Sequence, residues 1–438
     1  MVSLEQMRLP DSLDSLRAAV KSDPNFAQAF ILISDLTDDP AERSAARLQA
    51  KRLAQKASAG ERLLIVWLAG VQEDNYVLAI AAMNDLLAKY SHDQRLAFLA
   101  GRWLIQQQRY AQAEVLLERA TDSAPGYAAA WNELGYAYAL SGDFPKAFSA
   151  MQRYVGLEPD QPNPHDSYGE ILCMAGKFDA AIEQYRTSIR IDPSFGSELG
   201  IADAYALMGK EDDARQEYAR AMLFAGSESA KVAYQLQAAM TWIRENNRKA
   251  AEKALEETAK HAHQAGLAPL EAESYRFLAM SDPDSKAALK HLQVAQDALQ
   301  HHPELAGRDR DEELARILRV RAAHLAGDQS FDSATTVVQQ LETMAQTSRS
   351  QVVQRSYHAA AGAVLVAQRK YADAIPQLEE DSDDPLSMQL LLQAYEGTGA
   401  VLQADSLASK LAALNVPTIE QALVVPAFRA GLVSQARR

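Results

Sequence analysis

Apolar residues recur along this chain with the periodicity of amphipathic helices, in segments that short polar stretches separate. Glycine (20 residues) and proline (16 residues) are sparse among the 438 residues and fall between these segments. Alanine, leucine, glutamine and glutamate, which favour helices, are abundant. No run shows the alternation of β-branched residues that is typical of strands. The pattern therefore predicts an all-α protein.

The helical segments repeat with a period that three prolines mark. Pro125, Pro159 and Pro193 stand 34 residues apart, and the segments between them align with one another. Each segment predicts two helices, here called helix A and helix B. The clearest segment carries Trp131, Leu134, Gly135, Tyr138, Gly142 and Ala147, and the next carries Tyr168, Gly169, Leu172, Gly176, Ala181 and Tyr185.

Each repeated position has a physical reason. Gly135 lies within helix A, where glycine costs about 1 kcal/mol relative to alanine. A close approach of helix B has to offset that cost, and Ala147 is the expected small partner there. Gly142 lies at the turn, where a residue free to take positive φ ends helix A. Pro159 ends helix B and lets the next helix begin beyond it. These repeated residues are predicted to form the core.

On these residues, the segment 94–226 resembles tetratricopeptide repeats. The resemblance implies an all-α fold, a right-handed superhelical solenoid of antiparallel helix pairs. It also implies a function, that of a non-catalytic scaffold that binds a peptide or protein partner in the concave groove of the superhelix. A regulatory or sensor subunit that controls an associated enzyme or transcription factor is the alternative.

The repeat pattern weakens on both sides of its centre. Residues 1–58 are predicted to form N-terminal capping helices and a degenerate repeat, and residues 59–226 the repeats themselves. Residues 227–381 are predicted to hold degenerate hairpins, and residues 382–438 a final hairpin and a C-terminal cap. Residues 12–22 look like a helix B without a helix A before it, which leaves both a trimmed N-terminus and an unusual cap open.

The resemblance places partner-contacting side chains on helix A, with positions 5, 6 and 9 of each repeat among them. With Pro125 and Pro159 taken as position 32, the register can be followed along the chain. The lining runs from basic to acidic, so we expect a partner with a basic segment at the acidic end. The Lys and Asn with which some chaperone-binding repeats clamp a terminal carboxylate are absent from positions 5 and 9. The predicted groove residues are Arg95, Phe98, Arg102, Asn132, Tyr136, Asp166, Glu170 and Asp203.

The charge balance argues against several kinds of partner. The formal net charge is −14 and the pI is about 5.2, whereas nucleic-acid binding needs concentrated Lys and Arg. The same balance argues against an anionic membrane surface, and the longest apolar stretch, Leu63 to Val71, is too short for insertion into a bilayer. No signal peptide is visible, which fits the cytoplasm. A periplasmic or secreted location stays open if an N-terminal signal was trimmed, and the oligomeric state stays open as well.

Catalytic and cofactor motifs are missing from the sequence. It has no Gly-x-Gly-x-x-Gly, no phosphate loop that ends in Gly-Lys-Ser/Thr, no His-Glu-x-x-His and no Gly-x-Ser-x-Gly. We therefore predict neither an enzyme nor a bound cofactor. A metal site that combines His291, His301 or His302 with a carboxylate is a minor alternative. The one cysteine, Cys173, is expected to be an inert thiol in the core or the groove.

Overall fold

The computed structural model describes residues 9–37, 39–73, 75–300 and 307–436. In these ranges all regular secondary structure is helical, with twenty-four α-helices and one short 3-10 helix. The predicted all-α class of antiparallel helix pairs is confirmed, and the handedness of the superhelix stays a prediction. None of the helices in the described ranges combines the length and apolarity needed to cross a membrane.

The chain divides into two compact units, unit 1 (residues 1–171) and unit 2 (residues 172–438). The helices that begin in unit 1 are α1 (Leu9–Ser22), α2 (Ala27–Leu36), α3 (Pro40–Leu53), α4 (Ala59–Gln72), α5 (Tyr76–Lys89), α6 (Gln94–Gln106), α7 (Tyr110–Ser123), α8 (Ala128–Leu140), α9 (Phe144–Leu157) and α10 (Pro162–Met174), with the 3-10 helix Ala54–Lys56 after α3.

Unit 2 continues the same alternation of helices. Its first seven are α11 (Phe178–Ile191), α12 (Glu198–Leu207), α13 (Glu211–Phe224), α14 (Glu228–Arg244), α15 (Arg248–Gln264), α16 (Ala268–Ser281) and α17 (Ser285–Gln300). Its last seven are α18 (Gly307–Gly327), α19 (Phe331–Thr347), α20 (Gln351–Ala367), α21 (Tyr371–Glu379), α22 (Pro385–Thr398), α23 (Val401–Ala413) and α24 (Ile419–Ala436).

The division between the units falls inside α10, between Ile171 and Leu172. The sequence-based boundaries after residues 58, 226 and 381 are different divisions of the chain, and they stay predictions. In a solenoid every hairpin packs on its neighbours, so no exposed linker marks a boundary in the sequence. Residues 1–8 and 437–438 of the predicted caps lie outside the described residues.

The turns between helices A and B depend on a residue with positive φ. Gly142 has φ 88°, and its N–H donates to the Ala139 carbonyl at 3.0 Å. The next N–H, that of Asp143, donates to the Tyr138 carbonyl at 2.8 Å, which satisfies the last carbonyls of α8. Glycine takes this conformation at no steric cost. Among the residues that the structure describes, four other than glycine also take it, namely Gln108, Asn246, Gln329 and Arg369.

The mid-helix glycines lie against large side chains of helix B. A Cβ added to Gly135 would stand 2.4 Å from Met151 Cε, and one added to Gly101 would stand 2.6 Å from Leu117 Cγ. The expected close approach is therefore present. The contact at Gly135 comes from Met151, one turn beyond the predicted partner Ala147, which is itself fully buried.

One helix of unit 2 departs from neighbour-to-neighbour packing. α24 contacts α22 and α23, which precede it, and also α14, which lies far earlier in the chain. Ile419 and Ala422 share an apolar cluster with Met240 of α14 and Phe277 of α16. Val425 belongs to the apolar cluster of the last hairpin. α24 therefore spans several hairpins of unit 2 instead of adding one more layer to the stack.

Candidate functional site

Arg102 of α6 and Glu133 of α8 pair on the predicted groove face of unit 1. Arg102 Nε lies 3.8 Å from Glu133 Oε1, and the two side chains are 31% and 14% exposed. Burial raises the pKa of the Glu133 carboxyl, although Arg102 opposes that shift. A carboxylate that reaches solvent and is still desolvated lies in a recess of the surface.

Tyr136 of α8 is joined to α10 on the same face. Its hydroxyl donates a 2.6 Å hydrogen bond to Glu170 Oε2. Burial raises the pKa of the Tyr136 phenol well above its usual value, and the carboxylates of Glu170 and Asp166 raise it further. The phenol therefore stays protonated and acts as a donor. Glu170 is exposed, so its carboxylate contacts solvent as well as Tyr136.

Two acidic residues in the surroundings of Arg102 were missed by the sequence prediction. Asp35, near the end of α2, reaches solvent, but burial raises the pKa of its carboxyl against the attraction of Arg102 and Arg43. Glu133 occupies position 6 of its repeat, directly after Asn132, so the repeat register could have found it. Asp35 lies in a degenerate repeat and had no such register.

Phe98 and Asn132, both predicted to line the groove, are corrected to buried positions. Phe98 is 1% exposed, and its ring centroid lies 5.1 Å from that of Tyr127 just before α8. Asn132 is 4% exposed, and its Oδ1 has no hydrogen-bond partner among the described residues. A buried acceptor without a partner costs about 1–3 kcal/mol. The helices pack closely at these two positions, which is why neither side chain reaches an open face.

The remaining predicted residues are divided between the two units. Arg95 is exposed in the first turn of α6, and Asp166 is half-buried on α10, close enough to influence the phenol of Tyr136. Asp203 lies in unit 2 on α12, where it accepts a hydrogen bond from the Tyr218 hydroxyl. Asp203 is therefore considered with unit 2 below.

Unit 2 contains a cluster of buried ion pairs. Arg276 Nε donates a 2.7 Å hydrogen bond to Glu313 Oε1, and both residues are at most 5% exposed. Arg319 lies 3.1 Å from Asp381 and 2.6 Å from Asp384. Burial raises the pKa of Asp381 to about 6, although Arg319 opposes the shift. These arginines neutralise neighbouring carboxylates inside the fold.

The alternative of a metal site concerns three histidines of unit 2. Among the residues that the structure describes, there is no group of three or more His, Cys, Asp or Glu side chains that could hold a metal ion. His291 packs its ring on Tyr275, with the centroids 6.3 Å apart, and His301 and His302 lie outside the described residues. Cys173 is buried.

The helix pairs, their positive-φ turns and their neighbour-to-neighbour packing define a helical repeat protein. Residues 98–162 and 169–230 match the tetratricopeptide repeat family. This part of the chain carries tetratricopeptide repeats, as its sequence pattern predicted. Repeats of this family indicate a protein–protein interaction scaffold.

Several solved structures are similar to the chain. The MamA protein is 21% identical, with 38% of this chain and 91% of that chain covered and a TM-score of 0.34. A thermophilic tetratricopeptide repeat protein of Thermus thermophilus is 18% identical, with 40% and 97% covered and a TM-score of 0.34. YrrB, described as a tetratricopeptide repeat protein with an unusual peptide-binding site, is 13% identical, with 48% and 98% covered and a TM-score of 0.30. No curated protein sequence matches the chain.

Proposed function

We propose that unit 1 is a non-catalytic scaffold that binds a peptide or a protein segment with a basic portion, along the face shared by α6, α8 and α10. The observation that carries the proposal is a chain of lateral contacts between consecutive A helices. Arg102 pairs with Glu133, and Tyr136 bonds to Glu170. Polar groups that are desolvated yet reach solvent interact more strongly with a partner's charges than fully hydrated groups do.

The charge of this face favours a basic partner. Glu133, Asp166 and Glu170 are carboxylates on α8 and α10, and Arg102 is the cation paired with the first of them. Lys or Arg side chains of a partner would pair with the carboxylates at the α10 end.

A charge-reversal experiment tests this assignment. The variant Asp166→Lys/Glu170→Lys is compared with wild type in titrations against synthetic peptides graded from acidic to basic. We expect basic peptides to bind wild type most tightly, and the variant to bind them about tenfold more weakly or worse. The variant Glu170→Gln, which keeps an acceptor for Tyr136 and removes the charge, should lose part of the affinity.

The matched control reverses two other acids of unit 1. Asp85 on α5 and Asp122 on α7 are exposed residues of B helices, so Asp85→Lys/Asp122→Lys changes the net charge equally at a distance from the proposed face. We expect this control to bind the basic peptides like wild type. If the two double variants had the same affinities, the α6–α8–α10 face would not be the binding site.

A further inference from the structure

α24 occupies a position in unit 2 that the repeat architecture itself does not require. In a solenoid each hairpin contacts its sequence neighbours, yet α24 reaches a helix far back in the chain. Gln421 of α24 accepts a hydrogen bond from Arg244 of α14, 177 residues earlier. The helices α14, α16 and α22 that surround α24 are alternate members of the series, so they belong to the same layer of A helices.

The buried face of α24 is short and aliphatic. Ile419, Ala422 and Val425 are at most 3% exposed. Gln421 is 1% exposed, and its amide oxygen accepts from Arg244. These residues follow the three- and four-residue spacing with which an amphipathic helix enters a groove.

A predicted groove residue of unit 2 lies beside this contact. The carboxylate of Asp203 and the phenol of Tyr218 both lie close enough to Arg244 to interact electrostatically with its guanidinium. Arg244 in turn donates to Gln421 of α24. In unit 2, therefore, a helix of the same chain covers A helices next to the one that carries Asp203.

α24 fills this groove incompletely, because three cavities border it. An apolar cavity of about 420 Å³ lies beside Leu423, with Ala323 and Ala363 on its walls. A second cavity of about 490 Å³ lies beside Ile419 and Glu420, and a third of about 180 Å³ also touches Glu420. All three open to solvent, so they are recesses of the surface along the edges of α24. A helix with larger side chains would fit the groove better than α24 does.

The first turn of α24 brings an acidic residue next to the buried ion pairs of unit 2. Glu420 is half-buried and interacts electrostatically with Arg276 and Arg319. Both arginines already pair with carboxylates of unit 2. Burial raises the pKa of the nearby Glu273 carboxyl, and Glu420 adds to that shift. The paired arginines therefore leave no surplus positive charge that would select for a carboxylate at this position.

We propose that unit 2 carries a helix-binding groove in which α24 is a resident occupant, displaced by an amphipathic helix of a partner protein. The partner helix carries a larger apolar residue at the position of Leu423, where the apolar cavity lies. The groove is separate from the face proposed for unit 1 and is tested separately.

The attachment of α24 allows its release. Pro426 lies inside the helix and cannot donate the usual backbone hydrogen bond. The five residues from Leu414 to Thr418 connect α24 to α23 without regular structure. Tethering still gives α24 a high effective concentration at the groove, so a helix added in trans competes poorly while α24 is in place.

The experiment uses the full chain and a fluorescent synthetic peptide with the sequence of residues 416–436. Ala422→Glu places a charge at a residue that is 3% exposed and packs in the groove, whereas the control Ala427→Glu makes the same change at an exposed position of the same helix. We expect the peptide to bind Ala422→Glu about tenfold tighter than wild type or the control. A Leu423→Phe peptide should bind at least as tightly as the wild-type peptide, because Leu423 borders the apolar cavity.

Equal binding of the peptide to the two alanine variants, or weaker binding of the Leu423→Phe peptide, would overturn the proposal. A wild-type dimer that Ala422→Glu abolishes would also overturn it, because the occupant would then be a second copy of the chain. If Ala422→Glu does not fold, hydrogen exchange of the wild-type chain decides. The proposal requires amides of α24 to exchange about tenfold faster than those of α22, and equal protection of the two helices would overturn it.

Discussion

The Tyr136 hydroxyl and the Glu170 carboxylate, 34 residues apart in the sequence, are joined by a 2.6 Å hydrogen bond. The two residues occupy the same position, position 9 of helix A, in consecutive repeats of unit 1. The repeat period therefore becomes a lateral contact between neighbouring hairpins. In unit 2 the ion pair between Arg248 and Asp282 also spans 34 residues, but it joins the start of the B helix α15 to the end of the A helix α16, so it does not come from equivalent repeat positions.

Removal of the donor should weaken unit 1. Tyr136→Phe deletes the hydroxyl and leaves the exposed Glu170 carboxylate to be hydrated by water, so we expect a loss of about 1 kcal/mol in the free energy of unfolding. Tyr168→Phe is the control, because the Tyr168 hydroxyl accepts only a long 3.4 Å hydrogen bond from Gln152 and its loss should be smaller. Urea denaturation of the two variants measures the difference, and equal losses would contradict a stabilising role for the Tyr136–Glu170 bond.

The sequence predicted this contact only in part. The prolines and glycines of the repeat determined where helix A begins and ends, and the register then placed Tyr136 and Glu170 at equivalent positions. The register did not reveal that Phe98 and Asn132, which occupy position 5 of their repeats and were also predicted to line the groove, are buried. The position of a residue within the repeat predicts the face of the helix on which its side chain lies. Its exposure also depends on the size of the neighbouring side chains, such as the ring of Tyr127.

Two glycines of unit 1, Gly101 within α6 and Gly156 in the last turn of α9, should respond in opposite ways to alanine. Gly101→Ala gains helix propensity, but its Cβ would stand 2.6 Å from Leu117 Cγ, and overpacking costs about 1–3 kcal/mol. We therefore expect a net loss of stability. Gly156→Ala meets no atom within 4 Å and should gain about 0.5–1 kcal/mol. Thermal unfolding of both variants measures this, and a stabilised Gly101→Ala would show that Leu117 can move aside freely.

The turn between α20 and α21 should be improved by glycine. Arg369 has φ 59°, a left-handed conformation that costs a side-chain-bearing residue about 1–2 kcal/mol. Arg369→Gly removes that strain, but glycine also gives the unfolded chain more conformational freedom, which offsets part of the benefit. We therefore expect the free energy of unfolding to rise by about 0.5 kcal/mol. The preceding Gln368 has φ −80°, and Gln368→Gly should instead lose about 0.5–1 kcal/mol. Chemical denaturation tests the sign, and two losses would contradict strain at Arg369.

The packing of α24 could not be predicted from the sequence. The pattern of residues 419–438 indicated a terminal helix and suggested a cap, and the cap assignment stays a prediction. The bond between Arg244 and Gln421 spans 177 residues, and local periodicity holds no information about such a contact. The repeat rule was even misleading there, because it predicts contacts between neighbouring hairpins and α24 contacts α14 as well.

A buried carboxyl in unit 2 should make stability depend on pH. Glu211, at the start of α13, is 7% exposed, and burial raises its pKa from 4.5 to about 7, a shift that Glu245 adds to and that Arg244 and Arg215 oppose. The folded state therefore binds this proton more tightly than the unfolded state. Stability is greatest below about pH 4.5 for this group and is lost as the pH rises through about 7.

Glu211→Gln keeps a neutral side chain at every pH and should remove this dependence. We expect the variant to be about 2 kcal/mol more stable than wild type at about pH 8 and close to wild type at about pH 5. Asp213→Asn, at an exposed position of the same helix, is the control and should change stability equally at both pH values. Calorimetric unfolding at the two pH values measures the effect. If Glu211→Gln stabilised the protein by the same amount at both pH values, Glu211 would already be ionised in the folded protein at the lower pH.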